Sequence, residues 1–204
     1  DNKYFYFGII LYTNGDDITY KQGRNDDFEN TFYENSDYFI IEFDSFHDHA
    51  SGFGFAVNSS GVKADYSMSD DEYYDDSWDG MWSASVSANK NHWIVEYKIP
   101  INNLKFIDNE NISMGINFTR YIYQDDQYIS WADKAGYDDK VVSYFGHLKN
   151  INIHLEKELL LKPSLSISRF QYDDHYYSEY SFDLNNENIT GLDGWDNNKS
   201  ENNF

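Results

Sequence analysis

The stretch of residues 75–100 constrains the fold most, because it holds two alternating runs on either side of a polar turn. In residues 81–88 and again in residues 92–99, every second residue is apolar, which is the pattern of a half-buried β-strand. The turn at residues 89–91 has hairpin length, and Pro100 ends the second run because it has no N–H to donate to a neighbouring strand. The inward-facing side chains are Trp82, Ala84, Val86, Ala88, Trp93, Val95, Tyr97 and Ile99. The stretch therefore predicts an antiparallel hairpin that packs its tryptophans into the core of a β-sandwich.

Similar alternation elsewhere predicts an all-β chain. Residues 4–12 are apolar or aromatic on both faces, which is typical of a central strand that is covered on both sides. Gly52 and Gly54 share one face of a strand, where a close neighbour is expected. One helical turn is predicted at residues 101–106 and no other helix, and residues 124–139 are predicted to form a long acidic loop. The other predicted strands are residues 16–23, 37–44, 52–57, 62–68, 112–123 and 141–148.

Composition limits the partners of the chain. Its 204 residues suffice for one large all-β domain with an appendage, and its net charge of -21 argues against nucleic acid and anionic membrane surfaces. Cations and neutral polar molecules remain as candidate ligands. The chain contains no cysteine, which removes disulfides and thiolate metal sites. We see no apolar run long enough for a membrane-spanning helix and no signal peptide, and we expect a targeting segment upstream.

The alternation of apolar residues and the composition both change along the chain. Residues 1–153 are predicted to form the β-sandwich. Residues 154–184 alternate less clearly and are predicted to add strands or to begin a following β region. Residues 185–204 are rich in Asn, Asp, Glu and Lys with few apolar residues, so they are predicted to be a disordered tail.

Aromatic residues in predicted loops suggest a sugar-binding surface. Trp78, Trp131 and Tyr137 lie beside acidic residues, and sugars are recognised by aromatic faces together with carboxylates or amides. The alternative is that these rings pack loops onto the sandwich. The neighbouring acids are Asp75, Asp76, Asp79, Asp133 and Asp138.

Three further groups of polar residues raise other possibilities. Asp44 and Asp48 bracket one loop and are candidate ligands for calcium, although such acids are usually just solvated. In the same loop, His47 and His49 suggest a transition metal, but with no third ligand evident a solvated loop is the better interpretation. Arg120 interrupts an apolar row and requires a carboxylate partner, for which we expect Glu96 or Glu42. Those two glutamates are also the acids to screen for glycoside hydrolysis.

Several short motifs follow one another in a definite order: residues 24–27, 43–48, 54–58 with Gly61 and Val62, 77–82, Trp93, Glu96, Ile99 and Pro100, Leu104, 115–118 with Arg120, Trp131, and Phe145 with Gly146. Their order resembles the domain similar to carbohydrate-binding module family 9, in the form found at the front of bacterial outer-membrane proteins. The resemblance covers roughly residues 4–153. It implies a jelly-roll-like β-sandwich, sugar binding and a structural Ca²⁺, and it adds Asn117 and Arg120 to the candidate ligand-binding residues. In similar proteins an outer-membrane β-barrel follows.

These observations predict an antiparallel β-sandwich that binds a polysaccharide or oligosaccharide without catalysis. We expect it to be exported by a Gram-negative bacterium, to the periplasm, outer membrane or cell surface, as part of a polysaccharide-processing envelope protein. The alternatives are a structural or interaction domain that has lost sugar binding, and a component of a glycoside hydrolase.

Overall fold

The computed structural model describes residues 3–13, 18–106, 112–132 and 140–151, and the backbone of two short strands near the end of the chain. The chain divides into two compact units, Asp1–Leu159 and Leu160–Phe204. The described residues contain no helix that is both long enough and apolar enough to cross a membrane. The domain boundaries expected from the sequence stay a prediction.

Antiparallel strands make up nearly all of the regular structure described. In chain order they are β1 (Tyr4–Tyr12), β2 (Tyr38–Asp44), β3 (Gly52–Asn58), β4 (Lys63–Ser69), β5 (Tyr73–Asp75), β6 (Ser83–Ala88), β7 (His92–Pro100), β8 (Ile112–Ile122), β9 (Gln127–Ser130), β10 (Gly146–Ile151), β11 (Phe182–Leu184) and β12 (Glu187–Ile189). The described part of the first unit contains a three-stranded sheet in the order β1-β7-β6 and a seven-stranded sheet in the order β10-β8-β2-β3-β4-β5, with β9 also paired to β8. In the second unit, β11 pairs with β12.

The main core lies between the two sheets of the first unit. Trp93, Val95 and Ile99 on β7 are fully buried, and they belong to the same apolar cluster as Ile41 and Phe43 on β2. The layers are also joined by a hydrogen bond, in which the hydroxyl of Tyr97 donates to the carbonyl of Phe39 at 2.8 Å. The predicted antiparallel β-sandwich is therefore confirmed, and so is the hairpin of β6 and β7 at its centre.

A second apolar cluster covers the outer face of the larger sheet. A short helix, α1 (Phe28–Thr31), begins where the side chain of Asp27 accepts a hydrogen bond from the Asn30 N–H at 3.2 Å. It places Phe28 and Phe32 against Tyr66 and Tyr38 of the sheet. The close neighbours predicted beside the β3 glycines are present: a β-carbon at Gly54 would clash with the Tyr66 ring, and one at Gly52 would clash with Met68.

The prediction for β1 was wrong. Within the residues described, β1 is an edge strand that pairs with β7, and Tyr6, Ile10 and Tyr12 on its outer face are mostly exposed. The outer face of β1 has the aromatic sequence of a covered strand, but its rings lie over neighbouring side chains of the same face instead of under another layer. For example, the Lys98 ammonium lies 4.1 Å from the centre of the Tyr4 ring.

Other local predictions also need correction. The described residues 18–23 do not form a strand, and α1 was missed. The predicted helical turn is confirmed as a 3₁₀ turn at Ile101–Asn103, but another occupies Val142–Tyr144 before β10. Part of the predicted acidic loop is β9, since Gln127–Ser130 folds back and pairs with the end of β8.

Candidate functional site

Trp131 is the most exposed of the tryptophans that the structure describes. Its backbone N–H donates to the carbonyl of Phe118 at 2.9 Å, which continues the pairing of β8 and β9 by one residue. Its indole meets the Phe118 ring edge-on at 5.9 Å and covers Gly146 of β10, where any β-carbon would clash with the ring. One side of the indole is thus fixed by the sheet, while 61% of the residue remains exposed.

Arg120 lies on the same face of the β8–β9 ribbon as Trp131. Arg120 is paired with Ile129, and Trp131 follows two residues later on that face, so the two side chains are diagonal neighbours. Diagonal neighbours on a sheet lie roughly 7–8 Å apart, within reach of long side chains. The structure therefore brings together two of the residues predicted to bind ligand. We call Trp131, Ile129 and Arg120 the rim site.

The expected partner of Arg120 was wrong. Burial lowers the pKa of its guanidinium, and the carboxylate of Asp37 opposes that shift. Phe39 of β2 is paired with Arg120 and points into the core, so Arg120 lies on the core side of the sheet. Glu42 points to the opposite face of β2 and cannot be the partner of Arg120. The Arg120 Nε is buried, and it makes no hydrogen bond within the described residues.

Asn117 supports the rim site rather than facing a ligand in it. Its Oδ1 accepts from the Ala132 N–H at 3.0 Å, next to Trp131 in the chain, and its Nδ2 donates to Glu42 at 3.4 Å. The Tyr66 hydroxyl donates to the other oxygen of Glu42 at 2.7 Å. Burial raises the pKa of the Glu42 carboxyl, and these two hydrogen bonds act in the opposite direction. Asn117 thus anchors the residue that follows Trp131.

Trp78 lies elsewhere on the sandwich. Its half-buried indole packs against Phe53 at 4.9 Å and Phe55 at 5.8 Å, both on β3. Trp131 contacts β8, and β2 separates β8 from β3 in the sheet. The two tryptophans therefore do not share one groove. Tyr137, the third predicted aromatic ligand, lies outside the described residues.

Three exposed tyrosines on the outer face of the larger sheet were not anticipated. Tyr74 packs against Tyr66 at 5.3 Å, and Tyr33 stacks on Phe28 at 5.6 Å. The hydroxyl of Tyr128 is 3.0 Å from that of Tyr38. Nothing in the sequence marks these rings, because they come from a turn, a short strand and a hairpin that only the folded chain brings to one face.

The carboxylates of the predicted calcium site organise their own loop. Asp44 is fully buried and accepts from the N–H groups of Asp48 at 3.2 Å and His49 at 3.0 Å. Asp48 accepts from the N–H groups of Ala50 and Ser51 and from the Ser51 hydroxyl. Desolvation opposes these hydrogen bonds, but together they keep the pKa of Asp48 below its ordinary value. Calcium binding at Asp44 and Asp48 stays a prediction.

The same loop forms a histidine cluster with β10. His47 Nε2 lies 2.7 Å from His147 Nδ1, and the rings of His47 and His49 are 4.8 Å apart. Desolvation and the two neighbouring imidazoles lower the pKa of His147. Sequence reasoning found the first two histidines and missed the third, which is 100 residues away in the chain. No local signal announces that β10 returns to this loop.

Two of the solved structures that match this chain have descriptions that mention carbohydrate binding. A protein from Bacteroides uniformis ATCC 8492, provisionally described as carbohydrate-binding, has 12% sequence identity and a TM-score of 0.56, and the match covers 72% of this chain and 73% of that chain. This chain has the β-sandwich fold of that protein. A carbohydrate-binding module of family 9 from Caldicellulosiruptor kristjanssonii, in complex with glucose, has 18% sequence identity and a TM-score of 0.49. That match covers 73% of this chain and 71% of that chain. No family model and no curated protein matches the sequence.

The TM-score of 0.56 shows a common fold, and at 12% identity no residue roles are transferred. The glucose bound in the family 9 structure belongs to that protein.

Proposed function

We propose that this β-sandwich binds a neutral polysaccharide or oligosaccharide without catalysis and that Trp131 is its stacking surface. The observation that carries the proposal is an indole held on one side by Phe118 and Gly146 and open to solvent on the other. Leaving a large apolar ring exposed forfeits the free energy of its burial, so a fixed exposed ring favours a ligand with an apolar face. A pyranose ring has such a face.

The rim site also contains a hydrogen-bond donor. The guanidinium of Arg120 lies on the same face as Trp131 and offers N–H groups of the kind that bind sugar hydroxyls. The net charge of -21 opposes the approach of polysaccharides that carry uronic acids or sulfates. The proposed ligand is therefore a neutral sugar chain.

The orientation of the two screened glutamates supports a non-catalytic role. Glu42 points away from the core on the outer face of the larger sheet, since its neighbours Ile41 and Phe43 point inward. Glu96 is exposed on the outer face of the smaller sheet, between the buried residues Val95 and Tyr97. The core separates these carboxylates, whereas glycoside hydrolysis needs two carboxyl groups about 5–9.5 Å apart around one bond.

One observation favours the alternative of an interaction domain. The outer face of β1 exposes Tyr6, Ile10 and Tyr12 in a row. An apolar strip on an edge strand is typical of a protein contact surface. In this alternative the sandwich holds another protein and the rim site binds no sugar.

The cellular setting belongs to the proposal as well. We propose export by a Gram-negative bacterium and a place in a polysaccharide-processing envelope protein, with a possible partner in a downstream outer-membrane barrel. This part is supported by the resemblance of the sequence motifs alone. It is independent of the rim geometry and of the binding test.

Affinity electrophoresis of the full chain through gels containing neutral plant or algal polysaccharides tests the proposal. We expect slower migration with at least one polysaccharide, and Trp131→Ala should weaken the retardation about tenfold or more, since truncating a central aromatic contact often costs about 2 kcal/mol. Tyr12→Ala is the matched control, because it removes an exposed ring from the other sheet.

Retardation that survives Trp131→Ala would move the sugar site elsewhere, to the outer tyrosines Tyr33, Tyr74 and Tyr128 in the first instance. If none of the polysaccharides retards the protein, the interaction domain is the better reading. Circular dichroism of each variant checks that the sandwich is intact.

A further inference from the structure

Three imidazoles converge at one end of the larger sheet. Among the described residues, His47, His49 and His147 form the cluster of metal-binding side chains, with one possible ligand atom from each lying within 4.8 Å of the others. The loop between β2 and β3 supplies His47 and His49, and β10 supplies His147. His49 and His147 are exposed and His47 is half-buried, so an ion can reach the cluster from solvent.

The backbone of the loop holds its two histidines in an unusual conformation. His47 and His49 have φ angles of 55° and 59°, in the left-handed region that non-glycine residues seldom occupy. This conformation costs on the order of 1 kcal/mol or more per residue. The hydrogen bonds to Asp44 and Asp48 oppose that cost by fixing the loop. The result is a pair of imidazoles presented side by side toward β10.

Rotations of the side chains would bring the nitrogens to the spacing of a metal site, since none of their separations exceeds 4.8 Å. A zinc ion bound to imidazoles at about 2.0–2.1 Å in tetrahedral directions holds its ligand nitrogens about 3.3 Å apart. The nitrogens of His47 and His147 are 2.7 Å apart, as expected when one ring donates its proton to the other. An ion would replace that proton, and a rotation of the side chains would widen the gap by roughly half an ångström.

Asp44 is placed to orient one of the rings. Its Oδ2 lies 3.8 Å from His49 Nδ1. At this distance the contact is electrostatic rather than a hydrogen bond, and a small rotation of the ring would let Nδ1–H donate to the carboxylate and leave Nε2 as the metal ligand. The same oxygen already accepts from the His49 backbone N–H, so its position is fixed.

We propose that His47, His49 and His147 bind a divalent transition-metal ion, with zinc as the expected occupant. Imidazole nitrogens suit zinc, copper and nickel, whereas calcium prefers oxygen ligands. Three protein ligands leave a fourth position for water or a ligand group. The site differs from the calcium site predicted at Asp44 and Asp48, and it does not depend on sugar binding. Trp131 covers Gly146 on one face of β10, and His147, the next residue, points to the other face.

Isothermal titration of the metal-free full chain with ZnCl₂ tests the site. We expect one ion per chain at the cluster, and His147→Gln and His49→Gln should each weaken binding more than about tenfold, since even outer-shell changes at metal sites cost about 10–100-fold. His92→Gln is the matched control, because His92 lies on β7 beside Asn89 and outside the cluster. Zinc should also raise the melting temperature of the chain, and this increase should be lost in the two cluster variants.

A variant with all three histidines of the cluster replaced by glutamine measures zinc binding elsewhere in the chain. The proposal fails if this variant binds zinc as tightly as the unaltered chain. It also fails if the unaltered chain binds zinc more weakly than about 100 μM. A parallel titration with CaCl₂ should give the same result for the unaltered chain and the triple variant, because imidazoles do not hold calcium.

Discussion

Glu42 is a buried carboxylate in a row of side chains that crosses four strands. The register places Asn117, Glu42, Gly54 and Tyr66 side by side on β8, β2, β3 and β4. The hydrogen bonds from Tyr66 and Asn117 satisfy the carboxylate, but burial still raises its pKa above the ordinary value of 4.5. Folding therefore shifts the balance of Glu42 toward its protonated form, relative to the unfolded chain.

The raised pKa of Glu42 makes its contribution to stability depend on pH. A raised folded-state pKa contributes stability below the unfolded-state pKa, and this contribution is lost as the pH rises above 4.5. Glu42→Gln removes this titration, so the free energy of unfolding of the variant should improve relative to the unaltered chain between about pH 5 and pH 8, by about 1.4 kcal/mol for each unit of pKa shift. Urea unfolding at several pH values measures it.

Glu96→Gln provides the control, since it makes the same chemical change at an exposed carboxyl on β7. If the free energies of unfolding of Glu42→Gln and the unaltered chain differ by the same amount at every pH in this range, burial does not raise the pKa of the Glu42 carboxyl.

At the scale of elements, alternation predicted those strands whose two faces see different surroundings. The β6–β7 hairpin, β2 and β3 follow from it, because each buries one face between the sheets, and β4 follows because Ala64, Tyr66 and Met68 are buried in the cluster on the outer face. The prediction that β1 is a central strand was wrong because its outer face is aromatic although it is exposed. The histidine cluster could not be predicted, since it depends on β10 pairing with β8 beside the β2–β3 loop. Trp131 was predicted as a candidate, but its exposure is a property of the folded ribbon.

The close packing of β3 and β4 gives a prediction for glycine. Gly54→Ala should lower the free energy of unfolding by about 1–3 kcal/mol, the usual cost of overpacking, because the new methyl group would displace the Tyr66 ring and disturb its hydrogen bond to Glu42. Gly8→Ala is the matched control in a strand, since a β-carbon there meets no atom of the described chain within 4 Å. It should be neutral or slightly stabilising. Equal effects of the two variants in urea unfolding would contradict the packing argument.

At the scale of the whole molecule, 36 acidic residues face 15 basic ones. Repulsion among like charges opposes the compact state, and dissolved salt screens it over a Debye length of about 10 Å at 0.1 M. The apolar core between the two stacked sheets therefore has to offset the electrostatic repulsion among the acidic residues.

The melting temperature should therefore rise when NaCl is increased from about 0.02 M to about 0.5 M, because screening weakens the repulsion in the folded chain more than in the expanded one. Calorimetric or fluorescence melting curves measure the change. Replacing NaCl by MgCl₂ and then by CaCl₂ at equal ionic strength separates screening from specific binding. A further increase with CaCl₂ alone, absent in Asp48→Asn, is the behaviour expected of the calcium site predicted at Asp44 and Asp48. A melting temperature that falls or stays constant as NaCl increases would show that charge repulsion does not limit the stability of this sandwich.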